Sequence, residues 1–157
     1  IAIAEALNLE PLEINRLGTC VLLHDIGKIG ISDEILTKQY ELTDEEWEAI
    51  KTHPQLGATI VSHIGHLAPC ILGILHHHER YDGSGYPQGL KGEEIPLEAR
   101  ILAIADAFAA MTSERPFSNT LSYEEALEEI KRGAGTQFDP KLAEVFLSIA
   151  KTTAVTT

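Results

Sequence analysis

The sequence predicts an all-α fold, and three observations carry that prediction. Helix-start signals recur along the chain, at Pro11, at Thr43 with Glu46, at Ser122 with Glu125 and at Asp139-Pro140. Between them apolar residues return at helical spacing. No alternating apolar and polar run of the kind a half-buried strand needs is found, and no internal repeat is visible.

Residues 1–8 read as the end of a helix, with Ile1 already in mid-pattern. Pro11 opens the next helix at its first position, where Ile14, Leu17, Val21 and Leu22 form an apolar stripe leading to His24. Thr43 and Glu46 form a capping box for a helix through Trp47 and Ile50, with Trp47 expected in the core. His53-Pro54 marks a boundary, because the residue before a proline avoids helical geometry. Gln55 to Ile64 and Pro69 to His77 are two further helical segments. Glu79 to Leu97 differs: it carries Gly83, Gly85, Gly89, Gly92, Pro87 and Pro96 without a sustained period, which predicts a long functional loop. Ala99 to Phe108 is apolar nearly all round and predicts a central buried helix. Ser122 starts the next helix, which ends at Gly133 and Gly135. Asp139-Pro140 opens the last, from Lys141 to about Lys151, and residues 152–157 are expected to fray.

A chain of 157 residues suits one domain, expected over residues 1–151. Its hydrophobic content of 44% is that of a globular protein. No apolar run reaches the ~18 residues of a membrane span, and the first residues lack the basic start of a signal peptide. Cys20 and Cys70 sit apart beside apolar residues, which suggests buried free thiols in a reducing compartment and a cytoplasmic location without direct membrane contact. The net charge of −12 disfavours a nucleic-acid polymer as partner. If the substrate is a phosphate ester, local positive charge must attract it, and bound divalent metals would supply that charge.

Three features point to chemistry. His24-Asp25 ends an apolar helix, with Lys28 one turn beyond if the helix continues. His76-His77-His78-Glu79 closes another, and Asp106 lies inside the most hydrophobic helix of the chain. A buried, unpaired carboxylate costs several kcal/mol or becomes protonated, and a divalent metal removes that cost. Imidazoles with carboxylates suit Mn, Fe, Co, Ni or Zn. His24, Asp25, His53, His77, His78 and Asp106 are too many ligands for one tetrahedral ion but enough for two. Two such ions can bridge a hydroxide and hold both oxygens of an in-line phosphoryl displacement. Asp25 is the natural bridge, with His24 and Asp106 on one ion and His53, His77 and His78 on the other, and Lys28 could donate to a phosphate oxygen. The plainer alternatives are a solvated helix end for the three adjacent histidines and a structural ion pair of Asp106 with Arg100 or Arg115. His63, His66 and His76 are given the plain reading.

These residues fall in a pattern that resembles the HD superfamily of metal phosphohydrolases, and within it the HD-GYP subgroup. The likeness runs through LLHDIGKIGISDEIL at 22–36, LTDEEW at 42–47, KTHP at 51–54 and HHERYDGSGYP at 77–87. It continues with GLKGEEIPLEARILAIAD at 89–106, TSERPF at 112–117 and GTQFDP at 135–140. The resemblance implies a helical bundle with a long GYP loop and C-terminal helices, and metal ligands at the same six residues. It implies that Lys28, Tyr86 and Arg115 contact the dinucleotide, with Asp25 and Lys28 carrying the catalysis. Glu79, Arg80 and Asp82 are expected to organise the loop, and Gly83 and Gly85 to supply its turns. The implied reaction is hydrolysis of cyclic di-GMP to linear pGpG, in some members onward to GMP, with two ions of iron or manganese. The alternative is a catalytically weak domain that binds the dinucleotide or partner proteins. A receiver or sensor domain commonly precedes such a domain, and a homodimer is compatible with the pattern. The family's additional Glu and His, often tied to a third metal, belong to a helix before residue 1. Ala109 replaces a usual Asp, Phe117 a Tyr, and Ser118 a frequent basic residue.

Overall fold

The computed structural model describes residues 1–113 and 120–154. These residues are helical and contain no strand beyond a single bridge between Ala134 and Phe138. The helices are α1 (Ala2–Ala6), α2 (Pro11–Leu23), α3 (Asp33–Leu36), α4 (Asp44–Ile50), α5 (His53–Ser62), α6 (Ile71–His76), α7 (Leu97–Thr112), α8 (Tyr123–Arg132) and α9 (Pro140–Ala154). Tight 3₁₀ turns at Ile26–Gly30, Gly65–Cys70 and Gly92–Glu94 join them.

The expected caps form. Thr43 accepts the Glu46 amide while Glu46 reaches back to the Thr43 amide, and Ser122 and Glu125 do the same for α8. Asp139 receives the amides of Lys141 and Leu142 at the start of α9. Its other oxygen accepts from Arg100 at 2.6 Å, so Arg100 of α7 serves the base of α9 and not Asp106. Helix α9 extends to Ala154, past the expected end near Lys151.

The core is built on α7, whose Ala99, Ile101, Leu102 and Ile104 are buried against α2, α6, α8 and α9. Ile3, Leu17, Val61, Ile74, Ile130, Phe138 and Leu142 complete it. Full burial of each large aliphatic among them stabilises the fold by roughly 1.5–3 kcal/mol. Cys20 and Cys70 are buried free thiols, as expected. Burial and the adjacent Cys70 raise the Cys20 thiol pKa far above its usual value, so it stays protonated.

Two expectations about apolar faces are corrected. Leu22 is 85% exposed and Val21 lies at the surface; the buried face of α2 runs through Leu17 and Cys20. The helix also stops at Leu23, so Lys28 sits in the following 3₁₀ turn. Trp47 is 50% exposed and not a core residue. Among the described residues no helix is long and apolar enough to cross a membrane.

Candidate metal centre and substrate cleft

Helix ends deliver the site. His24 caps the C-terminus of α2, Asp25 follows it, His53 opens α5, and His77 and His78 follow the last residue of α6. Asp106 projects from the middle of α7. The backbones that carry Asp25 and His53 touch at Gly27. A Cβ there would lie 1.9 Å from the His53 carbonyl oxygen and 2.5 Å from the Gly57 nitrogen, so only glycine lets the turn seat against α5.

Three imidazoles are locked by carbonyls three residues earlier in the chain. The Nδ1 atoms of His24, His53 and His77 lie 2.7, 2.6 and 2.6 Å from the carbonyl oxygens of Val21, Ile50 and Ile74. A carbonyl only accepts, so each Nδ1 carries a proton and donates it. In the neutral ring Nε2 is then left as a bare lone pair aimed inward. The Nε2 atoms of His53 and His77 face one another at 3.3 Å, and that of His78 is 3.2 Å from His53. Burial, together with the neighbouring His78, depresses the His77 pKa to about 3. Burial, with His53 beside it, brings His78 to about 4. The His24 Nε2 is buried without a hydrogen-bond partner.

Asp25 sits between two groups of ligands. Its Oδ1 lies 3.3 Å from His53 Nε2 and 4.0 Å from His77 Nε2. Its Oδ2 lies 3.4 Å from His24 Nε2 and accepts from Lys28 Nζ at 2.6 Å. Burial opposes the Asp25 charge, but His53 beside it and the bond from Lys28 outweigh it and hold the carboxyl far below its ordinary range. Asp106 stands 3.7 Å from His24 Nε2, and this neighbour lowers its pKa against the effect of burial. The same contact raises the His24 pKa, against its burial. Asp106 is a third exposed, so the sequence expectation of deep burial in α7 is corrected: it faces the cluster at the edge of the core.

Asp25, His53, His77 and His78 each offer a ligand atom within 4.8 Å of the others, a group that could hold a metal ion. The donor set fits. Converging lone pairs repel one another unless a cation lies between them, and hydrogen bonds from the second ring nitrogen are what orient metal-ligating histidines. All six expected ligands are thus brought together, with His24 and Asp106 flanking the other four. His63 and His66 stay at the surface as expected, whereas His76 is buried, its Nδ1 3.5 Å from Glu79.

The loop from Glu79 to Leu97 closes over one side. Glu79 is buried, and its two carboxylate oxygens accept the amides of Gln88 and Leu90 at 2.8 and 3.1 Å. Asp82 accepts from both the amide and hydroxyl of Ser84, while Arg80 donates to that hydroxyl. Gly83 takes a φ of +85°, and a Cβ on Gly85 would meet the Arg80 nitrogen at 2.3 Å. The Tyr86 amide donates to the His78 carbonyl, and its ring stacks on His78 at 4.9 Å. Burial and the nearby Asp25 raise the Tyr86 phenol to about 12, so it remains a donor. A cleft of about 320 Å³ opens here, lined among others by Tyr86, His78, Asp106, Trp47 and Gln137. Trp47 and Gln137 are cleft residues that the sequence reading missed. Helix α4 is too short to define a buried face by periodicity, and Gln137 reaches the cleft only through the tertiary fold. Arg115 lies outside the described residues.

The family model described as HD domain matches residues 2–142. A cyclic di-GMP phosphodiesterase of Thermotoga maritima is 44% identical over 153 residues, covering 95% of this chain and 41% of the relative. A cyclic di-GMP phosphodiesterase response regulator of Xanthomonas campestris pv. campestris is 42% identical over 147 residues, covering 92% of this chain and 39% of the relative. A solved cyclic GMP-AMP specific phosphodiesterase of Vibrio cholerae superposes with a TM-score of 0.75 at 27% identity, covering 96% of this chain and 41% of that one. The chain therefore spans about two fifths of the length of these relatives.

Proposed function

Because the chain belongs to the HD-GYP branch of the HD domain family, we propose that its site hydrolyses cyclic di-GMP to linear pGpG. The observation that carries this is the placement of Asp25. One oxygen faces His53 and His77, with His78 beside them, and the other faces His24, with Asp106 beyond. That division suits two divalent ions: His53, His77 and His78 would hold one and His24 and Asp106 the other, with Asp25 serving both, and iron or manganese would suit these donors. When bound, the pair supplies Lewis-acid charge against the phosphate and lowers the pKa of water.

The chain's own residues do the rest. Hydrogen bonds to Val21, Ile50 and Ile74 hold three imidazoles in one tautomer. Lys28, whose ammonium lies at the Asp25 edge of the cluster, donates to a phosphate oxygen as charge develops. Tyr86 contributes its face and its retained phenolic proton. Arg115 is assigned to a phosphate on the strength of the sequence likeness alone. A receiver or sensor domain elsewhere on the full chain and a cytoplasmic setting belong to the same reading.

The test is elemental analysis beside hydrolysis of cyclic di-GMP and 3′3′-cGAMP, with products resolved by chromatography. About two metals per chain and release of pGpG are expected. A fully metallated protein that binds cyclic di-GMP without cleaving it would establish the binding-only alternative in place of this one.

A further inference from the structure

We propose that Trp47 is the stacking wall for one purine base of the dinucleotide, an assignment that rests on the function proposed above. A large indole with half its surface exposed needs a reason, and here it lies in the wall of the cleft that holds His78, Tyr86 and Asp106. The rings in contact around the cluster are those of His24, His53, His77, His78 and Tyr86. Tyr86 is already stacked on His78 at an interplanar angle of 26°, so one of its faces is taken. Trp47, the other aromatic in the cleft wall, is in none of these ring contacts, so neither of its faces is taken by another ring among the described residues.

Its helix holds it ready. The Thr43–Glu46 capping box fixes the start of α4, and Lys38 bonds Glu46 at 2.5 Å, tying the preceding segment to the same turn. Ala103 and Ala107, one helical turn apart on α7, line the same cleft, and their small side chains leave room for a flat ring. The charge of the chain supplies the need. At −12 the protein repels a dianion, and the cluster can attract only the phosphates. The bases must be held by contacts that do not depend on charge, and an aromatic face provides them.

Trp47 is the only tryptophan of the chain, so intrinsic fluorescence reports from this one position. Titrating the metal-loaded protein with a phosphorothioate analogue of cyclic di-GMP should quench that fluorescence saturably. Trp47→Ala should raise KM about five- to 150-fold, the range that loss of one base stack implies. Its kcat should change by no more than about twofold, metal content should be unchanged, and Trp47→Phe should recover most of the loss. Wild-type turnover with no quench, or an unchanged KM in Trp47→Ala, overturns the stacking role and leaves the proposed function standing. Loss of metal or of fold in both variants also overturns it, since Trp47 would then be structural. Absence of both quench and turnover in the metallated wild type overturns the two proposals together.

Discussion

The candidate metal centre and the loop that covers it are built by opposite means. In the cluster three of the four imidazoles are fixed by a carbonyl three residues earlier in the chain, so the geometry is local and sits on helix ends. In the loop from Glu79 to Leu97 there is little regular structure. One buried carboxylate gathers two distant amides, and Gly85 allows the chain to pass over the backbone of His78 to Arg80. The cluster is rich in candidate ligands but has a single hub, Asp25, which faces three of the histidines. The path of the loop leans on Glu79 and on missing Cβ atoms, with the Arg80, Asp82 and Ser84 bonds beside them. The difference teaches where damage should appear: in metal content for the cluster, and in substrate handling with metals retained for the loop.

The harshest test of this contrast is Asp25→Ala. It removes both faces of the hub, so metal and activity should vanish together, by more than the roughly 10–100-fold that loss of a supporting partner costs. Metal analysis and turnover on the same sample check this; retained metal with lost activity would mean that Asp25 is no ligand. Gly85→Ala should come next. Its Cβ would sit 2.3 Å from the Arg80 nitrogen, so the loop must shift, and a displacement of about 1 Å costs on the order of 100-fold in rate. Metals should stay bound in that variant, and their loss would show that loop and cluster are one unit.

Tyr86→Ala is a milder form of the same question. It removes a ring stacked on His78 and a phenolic donor, and should lower kcat/KM by about ten- to 100-fold with metal content unchanged. Parallel loss of metal would assign the ring to holding His78 instead of the substrate. The smallest effect belongs to Thr43→Ala, outside both regions. Loss of this cap costs about 1 kcal/mol, which for a chain of this size lowers Tm by roughly 2–4 °C. Thermal unfolding followed by circular dichroism measures it, and a shift several times larger would show that α4 does more than carry Trp47.

Much of this protein is written locally. The caps at Thr43 and Ser122, the Asp139-Pro140 start, the irregular stretch after Glu79 and the apolar run of α7 all form where the sequence places them. Each depends on a handful of neighbouring residues, so a reading of adjacent positions suffices. The six candidate ligands were legible for the same reason: histidines at the ends of apolar helices, and an aspartate inside one, break the local pattern. What the sequence could not determine depends on which faces meet. Leu22 and Val21 fit an apolar stripe as well as Cys20 does, and only the packing of α2 against α6 and α7 selects Leu17 and Cys20 for burial. Trp47 looks like a core residue in a short amphipathic segment, yet the approach of the loop and α7 turns its position into the wall of a cleft. Asp106 keeps its charge at the margin of the core because α7 presents it to His24 across the bundle. Local propensity and capping act over a few residues, whereas burial, ion-pair choice and cleft shape arise from surfaces brought together from distant parts of the chain, which only the tertiary structure decides.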